Sequence, residues 1–148
     1  MPDTEKYDVI IVGAGPAGMF AAEELSNKDI SILIIEMGKD ITERTCKVTS
    51  TIHCTHCDPC GIMCGVGGSG TFSDGTLNLR PDIGGDLVDY TGDIDEAWAL
   101  VRHVDEVFVK YGAPNNLNEP SGENVELLKR KAASKGAKFI EIVFGLFR

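Results

Sequence analysis

The chain is 148 residues long, 43% hydrophobic and 25% charged, a balance typical of a soluble globular protein and enough for one packed domain. Its formal charge of −9 disfavours non-specific attraction to nucleic acid or to an anionic membrane surface. The most apolar stretch, Val9 to Ala22, contains three glycines and a proline and is too short for a stable membrane span.

The first predicted element is a strand over Tyr7–Val12. It runs into Gly13-Ala14-Gly15-Pro16-Ala17-Gly18. A helix is expected from there to about Asn27, and a second strand over Ile30–Ile35 that ends on Glu36. Each part suits a dinucleotide. Gly13 permits a tight turn, Gly15 leaves the backbone bare for a diphosphate, and Gly18 permits close helix–strand packing. The helix start at Pro16 and Ala17 presents free N–H groups and a positive dipole end to an anion. Glu36 stands 23 residues after Gly13, where an acid can accept a ribose hydroxyl. A glycine motif alone is weak, but here strand, helix and acid agree with it.

Residues 37–93 read as a long irregular insertion. They hold all five cysteines and ten of the 17 glycines, nine of them between Gly61 and Gly92, and loops of that length usually signal function or disorder. In Gly67-Gly68-Ser69-Gly70-Thr71, glycines and hydroxyls let backbone N–H groups converge on anionic or carbonyl oxygens; a flexible surface loop is the alternative. The run Cys54-x-x-Cys57-x-x-Cys60-x-x-x-Cys64 has bacterial-ferredoxin spacing, although Gly65 stands where ferredoxins carry proline. Three readings stay open. One is an iron–sulfur cluster or zinc held by Cys54, Cys57 and Cys60 with Cys46 or Cys64. The others are a dithiol redox pair and packed thiols without chemistry. His53 and His56 read as loop residues. The Met-Pro-Asp-Thr-Glu-Lys opening lacks a cationic secretory start, so the expected setting is cytoplasmic and reducing, with thiols rather than disulfides.

Past residue 93 the pattern turns helical. Asp93 with Glu96 resembles a capping pair, and Ala97, Leu100, Val101, Val104, Val107, Phe108 and Tyr111 recur at three and four up to Gly112. Ser121 is expected to cap a second helix that ends at Gly136, and Ala137–Phe144 to form a strand. Arg44 reads as a solvated loop arginine with a phosphate contact as its alternative. Lys129-Arg130-Lys131 reads as a solvated face, Trp98 as packing and His103 as a helix-surface residue. Ser73 and Asp74 read as turn residues. No catalytic residue can be chosen. The whole is α/β, a Rossmann-like βαβ dinucleotide-binding domain with a parallel sheet. Too few strands follow for a complete one, so residues 1–148 are expected to be the N-terminal part of such a domain, truncated after Arg148.

Gly13 to Gly18 with Ala22, Leu25 and Glu36 resembles the FAD-binding start of glutathione-reductase-type flavoproteins. Ile62 to Leu79, followed by Pro81, Ile83, Gly84 and Gly85, is similar to a group of prokaryotic FAD-dependent dehydrogenases, three close cysteines included. The resemblance spans about residues 6–143. Members run several hundred residues, so this chain resembles their first third, and Lys47 departs from the proline they often carry after the first cysteine. The resemblance implies FAD with its adenosine on Gly13, Gly15, Gly18 and Glu36, and with Met37, Gly38 and Lys39 flanking the ribose. It also implies Gly67, Gly68, Ser69, Gly70 and Thr71 beside the pyrophosphate and flavin. The expected function is the FAD-binding portion of an oxidoreductase, partnered by a small-molecule substrate or electron carrier. Its alternatives are a cysteine-ligated electron-transfer module on a dinucleotide-binding platform and a catalytically silent fragment.

Overall fold

The computed structural model describes residues 5–146. The chain forms two compact units, residues 1–74 and residues 75–148.

The first unit is built on the expected crossover. Strand β1 (Val9–Val12), helix α1 (Pro16–Leu25) and strand β2 (Ile32–Ile35) follow in order. β1 and β2 pair in parallel, with Val9 opposite Ile32 and Val12 opposite Ile35. Hydrogen bonds close both ends of this short ladder, through side chains at one and backbone at the other. At its start the Asp8 carboxylate accepts from the Ser31 N–H at 2.8 Å and from its hydroxyl at 2.7 Å. At its end the Gly13 N–H donates to Ile35 O at 2.7 Å. α1 packs on both strands. Alternation then sends Val9 and Ile11 inward and leaves Ile10 and Val12 57% and 83% exposed. Both strands are shorter than their apolar runs, because Tyr7 and Ile30 lie before the paired residues. Two 3₁₀ turns follow, Ile41–Glu43 and Ser69–Phe72; the Asp40 side chain caps the first by accepting from the Thr42 N–H at 3.1 Å.

The second unit contains β3 (Thr76–Asn78), α2 (Val88–Thr91), α3 (Ile94–Lys110), β4 (Leu117–Asn118), α4 (Glu123–Ser134) and β5 (Phe144–Leu146). Its sheet runs β3-β5-β4, antiparallel throughout. The parallel sheet of the fold is thus the β1–β2 pair. The last strand is later and shorter than Ala137–Phe144, and its partners come from segments that read as loop. Residues 137–143 are held differently: Leu79 N–H donates to Val143 O at 2.9 Å, and the Arg80 guanidinium to Glu141 O at 3.3 Å.

α3 begins where Asp93 indicates. One carboxylate oxygen accepts from the N–H groups of Asp95 and Glu96 at 2.8 and 2.9 Å, filling two donors that a helix start leaves unpaired. Its apolar stripe buries Ala97 completely and leaves Leu100 42% exposed. Leu100, Val101 and Val104 line a cavity of about 320 Å³ with Leu77, Leu79 and Leu87. α4 differs from expectation at its start, where Gly122 rather than Ser121 is the cap residue, without a side-chain bond. Lys129, read as part of a solvated face, pairs with Glu126 at 3.1 Å and with Glu141, and so ties α4 to the segment before β5. Among the described residues no helix is long and apolar enough to cross a membrane.

Candidate functional site

Two of the three motif glycines are required by the chain's own geometry, each in its own way. Gly13 has φ 102°, a left-handed backbone that a side chain resists. Gly18 sits where helix meets strand: a Cβ there would collide with the Gly13 carbonyl oxygen and press on Ile11 at 3.2 Å. Gly15 has an ordinary φ of −77°, and a Cβ there would meet only Gly68 Cα, at 3.9 Å. Neither conformation nor packing within the chain requires glycine at that position. Pro16 occupies the first helical turn, where its missing N–H costs nothing. The N–H groups of Ala17 and Gly18 precede the first bond of the helix, Met19 N–H to Gly15 O at 3.0 Å, and belong to the first turn, whose N–H groups have no partner within the helix.

Glu36 is the hub of this region. Its carboxylate accepts from the N–H groups of Ala14 at 2.7 Å, Gly38 at 2.9 Å and Gly65 at 2.9 Å. The bond from Ala14, then that from Gly38, holds its pKa below the ordinary carboxylate value, partial burial opposes, and Gly65 adds to the lowering. The Met37 N–H adds a further, smaller lowering. The Met37 side chain beside it is 71% exposed.

The second glycine segment lies directly against the first. Gly67 N–H donates to Ala14 O at 2.8 Å, and Val66 N–H to Lys39 O at 3.0 Å. A Cβ built on Gly68 would stand 3.1 Å from both Gly15 Cα and Pro16 Cδ. Ser69, Gly70 and Thr71 continue from there in the exposed 3₁₀ turn. The structure therefore gathers residues 13–18, Glu36 to Gly38 and residues 65–71, which lie apart in the chain.

Arg44 is not the solvated loop cation that its position suggests. Only 4% of it is exposed. Its Nε donates to Gly61 O at 3.0 Å, Nη2 to Ile62 O at 2.6 Å, and Nη1 to Val66 O at 2.7 Å and Thr71 Oγ1 at 3.3 Å. The guanidinium also lies over the Phe72 ring, 4.9 Å from its centroid. Most of these acceptors are backbone carbonyls. Residue type does not mark a carbonyl's direction, so no signal in the sequence distinguished this arginine from a solvated one.

Beyond the geometry, the family model described as pyridine nucleotide-disulphide oxidoreductase matches residues 7–119. The chain belongs to that family. Its fold is accordingly of Rossmann type. It is similar to the digeranylgeranylglycerophospholipid reductase of Methanosarcina mazei, 34% identical over 93 residues that cover 58% of this chain and 23% of that protein. It is also similar to thioredoxin reductases. That of Bacillus subtilis is 55% identical over 38 residues, 26% of this chain and 12% of that one. That of Listeria monocytogenes is 59% identical over 39 residues, again 26% and 12%. The chain thus matches about a quarter or less of the length of these relatives. No solved structure matches it.

The cysteines of this pyridine nucleotide-disulphide oxidoreductase chain are free thiols. Cys46, Cys54 and Cys57 are exposed, and Cys60 and Cys64 are half-buried. Cys57, Cys60 and Cys64 share the wall of a cavity of about 170 Å³ with Arg44, Thr45 and Lys47. The N–H groups of Met63 and Ile62, with a smaller effect of the Arg44 charge, lower the Cys60 pKa from the usual thiol value. Among the described residues no three His, Cys, Asp or Glu side chains stand together as a metal site. The expected set of Cys54, Cys57 and Cys60 with Cys46 or Cys64 is not brought together.

Proposed function

We propose that the chain binds FAD across its first crossover and serves as the cofactor-holding part of a flavin-dependent oxidoreductase acting on a small-molecule substrate or electron carrier. Gly15 carries this reading: it is a glycine that the chain's own conformation and packing leave unexplained, and a diphosphate lying on the backbone explains it. The fit extends to its neighbours. Gly13, Gly15, Pro16, Ala17 and Gly18 would hold the diphosphate with bare main chain and a helix end. Glu36 would accept a ribose hydroxyl beside Met37. Gly67, Gly68, Ser69, Gly70 and Thr71 would continue along the cofactor from the contact between the two glycine segments.

FAD, when bound, supplies the hydride or electron chemistry. The residues described here bind it, orient it and fix where it lies. The family and the flavoprotein resemblance favour FAD over NAD at this site. The relatives bear names of a lipid reductase and of thioredoxin reductases, so they do not narrow the substrate. An iron–sulfur or zinc centre at the cysteines gains no comparable support.

The test is cofactor content. The full 148-residue chain, purified and then titrated with FAD, is expected to take up one flavin per chain, with the visible spectrum of bound flavin and release on denaturation. A folded chain that takes up no FAD contradicts the proposal. Metal analysis of the same sample decides the cysteine reading.

A further inference from the structure

We infer that Arg44 is a positioning residue for the cofactor: from the interior it sets the second glycine segment, residues 65–68, against the first, without touching the ligand. The inference deepens the FAD reading above and rests on it for its cofactor half.

The geometry is that of an internal clamp. A guanidinium is a planar fork of five N–H donors that stays charged at any ordinary pH. Burying one is costly unless its donors are satisfied. Here they are spread over one continuous stretch of chain, Gly61, Ile62, Val66 and Thr71, with Phe72 stacked on the plane. That stretch contains the residues that meet the nucleotide loop. Gly65 donates to Glu36, Val66 to Lys39 O and Gly67 to Ala14 O. Gly65 itself lies on the arginine stem, since a Cβ there would fall 2.7 Å from Arg44 Cδ. The guanidinium and the Glu36 carboxylate therefore grip the same few residues, one from their carbonyls and the other from an N–H.

Burial separates this role from a direct phosphate contact. Arg44 is 4% exposed and its hydrogen bonds run to Gly61, Ile62, Val66 and Thr71, so its guanidinium is committed to the chain. Its influence on a cofactor must pass through the position of residues 65–68. Lysine keeps the charge but carries its donors on one nitrogen, and it cannot reach carbonyls that diverge around a planar fork.

The experiment compares wild type, Arg44→Lys and the milder Thr71→Val by amide hydrogen exchange without ligand, by FAD affinity at two ionic strengths, and by thermal melting. In Arg44→Lys, exchange is expected to quicken at Gly65, Val66 and Gly67 while the β1 and β2 amides keep their protection. FAD affinity is expected to fall about tenfold or more, as for loss of a charge-assisted hydrogen bond, with the same salt dependence as wild type. Thr71→Val should show the same local pattern, more weakly. Unchanged exchange at residues 65–67 in Arg44→Lys overturns the clamp, whatever FAD does. Quickened exchange with undiminished FAD affinity overturns the cofactor half. If Arg44→Lys does not fold, exchange in Thr71→Val decides the clamp, and FAD affinity in Phe72→Leu, which removes the ring over the guanidinium, decides the cofactor half. Wild type that binds no FAD overturns the function proposed above, and with it the cofactor half, while the exchange arm still decides the clamp.

Discussion

Residues 36–72 and residues 76–146 differ in what orders them. In the first stretch an acid and a base do most of the work, and their main partners are backbone groups: Glu36 collects N–H donors from Ala14, Gly38 and Gly65, and Arg44 collects carbonyls from Gly61, Ile62 and Val66. In the second, an apolar helix stripe around the fully buried Ala97, a capped helix start and exposed ion pairs do the ordering. Charged hubs fix loops that have no ladder of their own, and they can hold bare main chain in place for a ligand. An apolar stripe orders a helix but leaves the loops to their own bonds.

The comparison is most sharply broken at Gly18. Gly18→Val puts a branched side chain into the Gly13 carbonyl, where backbone cannot yield. A loss of about 3 kcal/mol or more is expected in urea melts, at the top of the overpacking range. A melt like wild type would show that helix and strand are not in close contact. Gly15→Val should separate binding from folding. Its stability should fall by about 1 kcal/mol or less, as for a change at a helix cap, while FAD retention is lost. Retained stoichiometric FAD in that variant would move the diphosphate elsewhere.

Glu36→Gln comes next and carries a sign in pH. The Glu36 pKa in the folded chain is depressed by its N–H partners, so its contribution to stability is complete above the ordinary carboxylate pKa of about 4.3. That contribution is lost as pH falls from there through the lower folded value. Glu36→Gln should therefore melt below wild type at pH 7, and the gap should narrow below about pH 4. A gap independent of pH would mean that charge is not what Glu36 contributes. The smallest effect is expected at Asp93→Ala, about 1 kcal/mol from the lost cap, with FAD binding untouched. A change in FAD affinity there would contradict the assignment of cofactor binding to the first unit alone.

Much of the first unit was legible in the residues. Period, glycine spacing and a terminal acid are local signals, and they located β1, α1, β2 and Glu36. Asp93 was legible for the same reason, since a cap lies within three residues of what it caps. What escaped was non-local or carried by backbone. β3 is three residues in a glycine-rich stretch, and only its pairing with β5, far along the chain, makes it a strand. Ala137–Val143 has strand-like composition but lacks the partners that would make it one. Arg44 was missed because its burial depends on carbonyls contributed by residues 17 to 22 positions later. The contact between Gly15 and Gly68 could be guessed from two glycine clusters, but only the fold places them face to face.

Amide hydrogen exchange of the full chain with and without saturating FAD addresses the cofactor site most directly. Slowed exchange confined to Gly15, Ala17, Gly18 and residues 67–70 is the expected result. Protection centred elsewhere, or none at these amides while FAD is demonstrably bound, would contradict a diphosphate resting on the first crossover.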